Sequence, residues 1–320
     1  VTNILFISAN RIGDAILSTG LLRHVVNAYP DAKITVACGP LCVDLFTAVP
    51  GLVRIIPLQK QSWNRHWIKL WTECVPHYWD VIIDLRNSAV SRLLRHGALH
   101  VYQHSNESDH KVLQNAAIMR LAVPPDPKIW VSDAQQAEAI KLLGAAPVIA
   151  LGPSANWFPK QWPIEYCVAL VKDLMADPEY KQHCFLVLAA QHEMDQVKPV
   201  LEAILPSRRI ALIGSSLALA AACLERSVLY VGNDSGLMHL AAAVGTPTLG
   251  LFGPGYEKVY GPWGAHTAYV RTPESTAELL KLLPFSGAAT PNLMKTLTVE
   301  RVAAEVRRLL KNRKESSIKV

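Results

Sequence analysis

The sequence predicts an α/β protein made of two successive domains, each a parallel β-sheet with helices on its faces. Three observations carry this. Short β-branched runs alternate with helical patterns from the first residues onward, which is the signature of βαβ units. The alternation stops at Val123-Pro124-Pro125-Asp126-Pro127 and restarts beyond it. A chain of 320 residues with 50% hydrophobic content exceeds one ordinary core and suits two domains of about 150 residues each. The expected domains are residues 1–127 and 128–320.

In the first half, residues 3–9, 33–38, 53–58 and 80–85, and a short segment near 99–103, read as strands. Between them, residues 15–28 and 41–48, a Trp-rich amphipathic segment (Trp63, Trp67, Trp71) and a segment from Ser88 read as helices. Prolines at three of the positions 124–127 can continue neither a helix nor a central strand, so that run is the expected linker. A helix follows, from Ser132 or Asp133 as N-cap to Gly144. The second half then repeats the pattern, with strands at 148–152, 184–189, 209–213, 228–232 and 248–252 and helices starting at Ile164, Glu193, Ser216 and Gly236. A last helix, 299–310, carries Val302, Val306, Leu309 and Leu310 on one face, and its basic end, Lys311 to Lys314, reads as a solvated terminus. Two Rossmann-like domains facing across a cleft are the natural inference, with ligands at the carboxyl ends of the strands.

Composition narrows the function. The long apolar stretch 237–252 is interrupted by His239, Gly245 and Pro247 and falls short of the ~20 residues of a membrane span. Residues 3–9 lack a basic lead-in and run into a polar turn, so they read as a core strand rather than a secretory signal. Six cysteines (Cys38, Cys42, Cys74, Cys167, Cys184, Cys223) show no paired metal-ligand spacing and read as buried free thiols of a cytoplasmic protein. The net charge of +6 fits an anionic partner. Because the basic residues are dispersed, with no Arg/Lys run interleaved with aromatics, nucleic acid is the weakest of three candidates beside a phosphorylated substrate and an anionic membrane face, and none is expected as a partner.

Three segments carry chemistry, each where a strand gives way to a helix or loop. In Val231-Gly232-Asn233-Asp234-Ser235-Gly236-Leu237-Met238-His239, a helix starts at Ser235 and Gly236, offering free N–H groups and a positive dipole end to a pyrophosphate. Asp234 either caps that helix or holds a sugar hydroxyl. Read locally, Asp234 and Ser235 are equally well caps and His239 a core histidine. In Gly152-Pro153-Ser154-Ala155-Asn156-Trp157-Phe158-Pro159-Lys160-Gln161-Trp162-Pro163, Lys160 is either a counter-charge for a departing diphosphate or an exposed loop lysine. In Asn10-Arg11-Ile12-Gly13-Asp14, Asp14 is either a first-turn helix carboxylate or a base for an acceptor hydroxyl.

Together these segments resemble the heptosyltransferase family, glycosyltransferase family 9, on Arg11-Ile12-Gly13-Asp14, Lys160-Gln161-Trp162-Pro163, residues 233–243, Gly245-Thr246-Pro247 and Leu251-Phe252-Gly253-Pro254. The resemblance implies a GT-B fold and inverting transfer of heptose from ADP-heptose to a lipid-linked lipopolysaccharide inner-core acceptor at the inner face of the inner membrane. It implies Asp14 as catalytic base, with Arg11 and Gly13 on the acceptor side. Lys160, Asp234, Ser235, Gly236 and His239 fall in the donor site, Glu193 near the nucleoside and Ser215 near the adenine. A departure is Ala155-Asn156, which stands where many relatives have hydroxyl residues. Residues 106–115, with His110 and Lys111, resemble the family's acceptor-side segment only loosely. No cofactor is implied, and without an Asp-x-Asp motif no metal is expected. Rival readings are an epimerase or transferase acting on another nucleotide sugar, or a non-catalytic sugar-nucleotide-binding protein. A nicotinamide dehydrogenase or P-loop enzyme lacks its glycine motif here.

Overall fold

The computed structural model describes residues 1–102, 106–284 and 290–318, with side chains to residue 312. Gln103, the expected end of the fifth strand, and the side chains of Arg313 and Lys314 lie outside the described residues. The chain divides into two compact units, Val1–Ser132 and Asp133–Val320.

The first unit comprises β1 (Asn3–Ile7), α1 (Ile12–Ala28), β2 (Lys33–Cys38), β3 (Leu52–Pro57), α2 (Arg65–Cys74), β4 (Trp79–Asp84), α3 (Ala89–Leu93), β5 (His96–Val101) and α4 (Lys111–Ile118). Its sheet runs β3-β2-β1-β4-β5 and every pairing is parallel. Parallel pairing forces each connection to cross a face of the sheet, so strands are covered on both sides and read as unbroken apolar runs. Ile4, Leu5, Phe6 and Ile7 are accordingly all buried. The chain walks outward from β1 through β3 and then returns to β4 on the other side of β1. This reversal leaves the carboxyl ends of β1 and β4 without a crossover between them.

Two expectations change here. The helix expected over 41–48 is a tighter 3₁₀ turn, Pro40–Leu45, because only a short stretch separates Pro40 from Pro50 and short helical pieces adopt that form. Helix α4 was not foreseen. It begins at His110, whose Nδ1 accepts from Val112 N at 3.2 Å, and it is fastened to α1 by Asn115, which donates to the Leu17 carbonyl at 3.0 Å. In the Trp-rich segment, left-handed Trp63 (φ 57) and Asn64 (φ 56) hold off the helix until Arg65.

The second unit comprises α5 (Asp133–Leu143), β6 (Val148–Gly152), α6 (Ile164–Ala176), β7 (Cys184–Ala189), α7 (Met194–Ala203), β8 (Arg209–Ile213), α8 (Leu217–Glu225), β9 (Leu229–Asn233), α9 (Gly236–Ala243), β10 (Thr248–Phe252), α10 (Glu257–Tyr260), β11 (Thr267–Arg271), α11 (Thr276–Lys281) and α12 (Val299–Ile318). Its strands, again all parallel, lie in the order β11-β10-β9-β6-β7-β8. Here the reversal falls between β6 and β9. Helix α8 is capped by the Ser216 hydroxyl, which accepts from Leu219 N at 3.1 Å. Helix α12 buries Val302, Val306, Leu309 and Leu310 and extends past the expected end.

Among the described residues, no helix is long and apolar enough to cross a membrane. All six cysteines are free, and only Cys184 is not fully buried. Burial pushes the thiols of Cys38, Cys74 and Cys167 up to about 12 and those of Cys42 and Cys223 up to about 11.

The proline run packs directly on α1. A Cβ on Gly20 would lie 2.2 Å from the Pro125 carbonyl oxygen, and Thr19 Oγ1 accepts from Lys128 N at 3.0 Å. Backbone cannot retreat as a side-chain tip can, so Gly20→Ala should cost about 1–3 kcal/mol. Urea denaturation measures this, and an unchanged midpoint would show that the proline run is free to move.

Candidate active site

The second unit's crevice opens where β6 and β9 end. Gly152 and Gly232 face each other in register there, and the glycines make room for the side chain of Tyr230, whose hydroxyl a Cβ at either position would approach to 2.0 or 2.3 Å. Immediately beyond, Asn233 is completely buried. Its Oδ1 accepts from Trp162 N at 2.9 Å and its Nδ2 donates to the Pro153 carbonyl at 2.8 Å. A single amide thus pins both ends of the loop between β6 and α6 to the end of β9. Trp162 anchors that loop in the core, its indole N–H donating to Leu297 O at 2.8 Å.

Pinned in this way, the loop delivers Lys160 to Asp234, with Nζ and Oδ2 3.5 Å apart. Both side chains are largely buried, 18% and 15% exposed. Burial raises the Asp234 carboxyl above the ordinary aspartate range, and Lys160 opposes the shift. Asp234 is therefore paired with Lys160 rather than spent as a helix cap. Ser235 occupies the N-cap position of α9, yet its side chain makes no capping bond. His239 is buried one turn further along α9, and Gly236 opens the helix, leaving the first N–H groups clear of a side chain.

At the neighbouring strand end, Glu193 Oε2 accepts from Ala190 N and from the Ser154 hydroxyl, each at 2.8 Å. Ser215 stands further out, after β8, where its hydroxyl lies 3.4 Å from the Ser216 carbonyl. Gly214 precedes it with φ +66, its Cα face closed by Gln191. No hydrogen bond among the described residues joins Ser215 to the Lys160 cluster.

A brace on the opposite side was not visible in the sequence. Arg271, at the end of edge strand β11, pairs with Glu257 at 2.6 Å and donates to Gly253 O at 3.1 Å and Glu274 O at 2.9 Å. Thr276 Oγ1 donates to Gly255 O at 2.9 Å. The braced loop then lies against Asp234, since a Cβ on Gly255 would fall 2.7 Å from its Oδ2.

In the first unit, the corresponding strand end leads into Asn10, exposed Arg11 and half-buried Gly13 and Asp14. Gly39 lets β2 close on this turn: a Cβ there would meet Asn10 O at 2.8 Å. Asp14 sits in the first turn of α1. Burial raises its carboxyl, while Lys111 and Arg11 pull it back down. Lys111, from the unforeseen α4, is held by Gln114 Oε1 at 3.1 Å and lies 5.0 Å from the Tyr102 ring centroid. Among the described residues, no three His, Cys, Asp or Glu side chains cluster as metal ligands would.

Comparison with known proteins gives this geometry a context. The sequence profile of glycosyltransferase family 9 (heptosyltransferase) matches residues 84–283. Lipooligosaccharide heptosyltransferase 2 of Haemophilus influenzae is 26% identical over 88% of this chain and 91% of its own. The crystal structure of a glycosyl transferase family 9 protein from Veillonella parvula superposes with TM-score 0.80 at 18% identity, covering 97% of this chain and 98% of that one. The structure of E. coli ADP-heptose lps heptosyltransferase II gives TM-score 0.75 at 21% identity, covering 98% of this chain and 100% of that one. The fold is thus the GT-B fold that the sequence resemblance implied, and with the family profile spanning residues 84–283, the chain belongs to glycosyltransferase family 9, the heptosyltransferases.

Proposed function

We propose that the chain transfers heptose from ADP-heptose to a hydroxyl of a lipopolysaccharide inner-core acceptor, with inversion at the anomeric carbon. The observation that carries this reading is the Lys160–Asp234 pair at the start of α9, set at the β6/β9 strand reversal. As the anomeric C–O bond breaks, its electron pair passes to the diphosphate, whose added charge Lys160 and the first N–H groups of α9 offset. Lys160 exchanges Asp234 for phosphate when the donor arrives, freeing the Asp234 carboxylate for a sugar hydroxyl. Glu193 uses Oε2 to bind its own loop and offers Oε1 to the ribose, with Ser215 beside the base. His239 backs the donor helix. The E. coli relative's description as an ADP-heptose enzyme supports the donor.

Asp14 takes the proton from the acceptor hydroxyl as its oxygen bonds to the anomeric carbon, and Arg11 and Gly13 border the acceptor. A carboxyl raised by burial is a stronger proton acceptor than an ordinary one. The displacement is direct, moves no electrons to a cofactor and needs no divalent metal, because fixed positive groups already face the leaving group.

The same reading places the chain in the cytoplasm, in peripheral contact with the membrane that carries the acceptor. Trp63 is 94% exposed, Ile68 61% and Trp71 38%, with exposed Lys60, Arg65 and Lys69 among them. Apolar rings beside lysines and arginines suit an anionic bilayer surface.

Two experiments test these assignments. Asp14→Asn should lower transfer by about 10²-fold or more and leave ADP affinity intact, whereas Lys160→Ala should weaken ADP by about tenfold in calorimetric titration. Asp14 also fixes the sign of a stability change. A carboxyl raised in the folded state contributes stability below its unfolded pKa and loses it as pH rises through the folded value, so Asn should hold or raise the unfolding midpoint at neutral pH. Loss of ADP binding or of stability in Asp14→Asn would make Asp14 structural. In the second experiment, the chain should sediment with phosphatidylglycerol vesicles but not phosphatidylcholine ones, and Trp63→Ser/Lys69→Glu should release it. Equal behaviour with both lipids would remove the membrane contact.

A further inference from the structure

A tyrosine in the middle of a parallel sheet brings a polar oxygen into a place that aliphatic side chains fill without cost. Tyr230 is such a residue: it lies on central strand β9 and is completely buried. Its hydroxyl makes no hydrogen bond of ordinary geometry. Space has nevertheless been made for that oxygen, since Gly152 and Gly232 are both glycines against it. The phenol therefore ends at the strand reversal, beneath the turn that opens α9.

A second hydroxyl meets it there. Ser235 Oγ is buried and completes no ordinary hydrogen bond either, and it does not cap its helix. The two lie close enough that Ser235 partly offsets the burial that raises the Tyr230 phenol, while the Glu193 carboxylate reinforces the rise. Buried polar atoms are almost always satisfied, so two adjoining exceptions at a ligand crevice call for a partner that the free chain lacks.

We infer that Tyr230 is a positioning residue for the donor diphosphate, acting through Ser235. When the donor binds, the Ser235 side chain turns toward the diphosphate, the phenol O–H donating to its Oγ while the serine's single hydrogen goes to a phosphate oxygen. Tyr230 never touches the ligand and no proton changes owner. The inference rests on the donor-site reading above, and it adds a buried residue that no motif in the sequence singles out.

The test uses the full chain as Tyr230→Phe, Ser235→Ala and the double variant, each titrated with ADP and melted without it. Tyr230→Phe should weaken ADP about three- to tenfold while leaving the unfolding midpoint unchanged or higher, because an unsatisfied oxygen is gone. In the Ser235→Ala background the same change should have no further effect on ADP, since the relay is already cut. An unchanged dissociation constant in Tyr230→Phe would overturn the inference. So would a lowered midpoint, which marks a structural hydroxyl, or an equal loss with Ser235 absent, which marks a separate action. Failure of the unaltered chain to bind ADP would be a different result, sinking the donor-site reading and this inference with it.

Discussion

Much of the second unit depends on how the chain ends two adjacent strands that leave the sheet in opposite directions. Between β6 and β9 no crossover covers the carboxyl ends, so the loops must be held by side chains. Asn233 does this with one buried amide, joining Pro153 and Trp162 to β9. Amides suit the task because they donate and accept at once and carry no charge to desolvate. Every residue read as gripping the diphosphate lies within a few positions of that joint.

One carboxylate in each unit is left only partly answered in the free chain. Asp234 and Asp14 both sit where burial disfavours their ionised forms. Asp234 is answered by Lys160 at 3.5 Å and Asp14 by the charges of Lys111 and Arg11. On the proposed reading, a tighter Lys160–Asp234 pair would compete with the diphosphate for the same ammonium. On that reading, the 3.5 Å pair leaves the lysine able to exchange partners, the usual trade between stability and function at a working site.

How much of this was legible depended on range. The central strands 148–152, 184–189 and 248–252 have the observed bounds, because a strand covered on both faces is written as a continuous apolar run, and the edge strand 209–213 has them too although only Leu212 in it is buried. Strand β11 escaped notice as a half-exposed edge strand with only Val270 buried. Helix α4 opens on a histidine cap, an uncommon start signal. Lys160, Asp234 and Asp14 could be picked out because they interrupt strand-to-helix turns. Asn233 and Ser154 act through partners tens of residues distant and Arg271 through loop groups on either side of it, and no local period records such pairings. The cap reading of Ser235, reasonable from sequence, fails because its side chain makes no capping bond and its buried Oγ is left without a hydrogen-bond partner.

The thiols described with the fold give the molecule an internal clock. Cys38, Cys42 and Cys74 lie in the first unit and Cys167 and Cys223 in the second, all buried and all held as unreactive thiols by burial. An alkylating reagent can reach them only when the surrounding unit opens, so their labelling rates separate the breathing of one unit from that of the other. The half-exposed Cys184 serves as the internal reference. A chain with no disulfides therefore carries five native timers of its own local unfolding, placed on both sides of the division at Ser132.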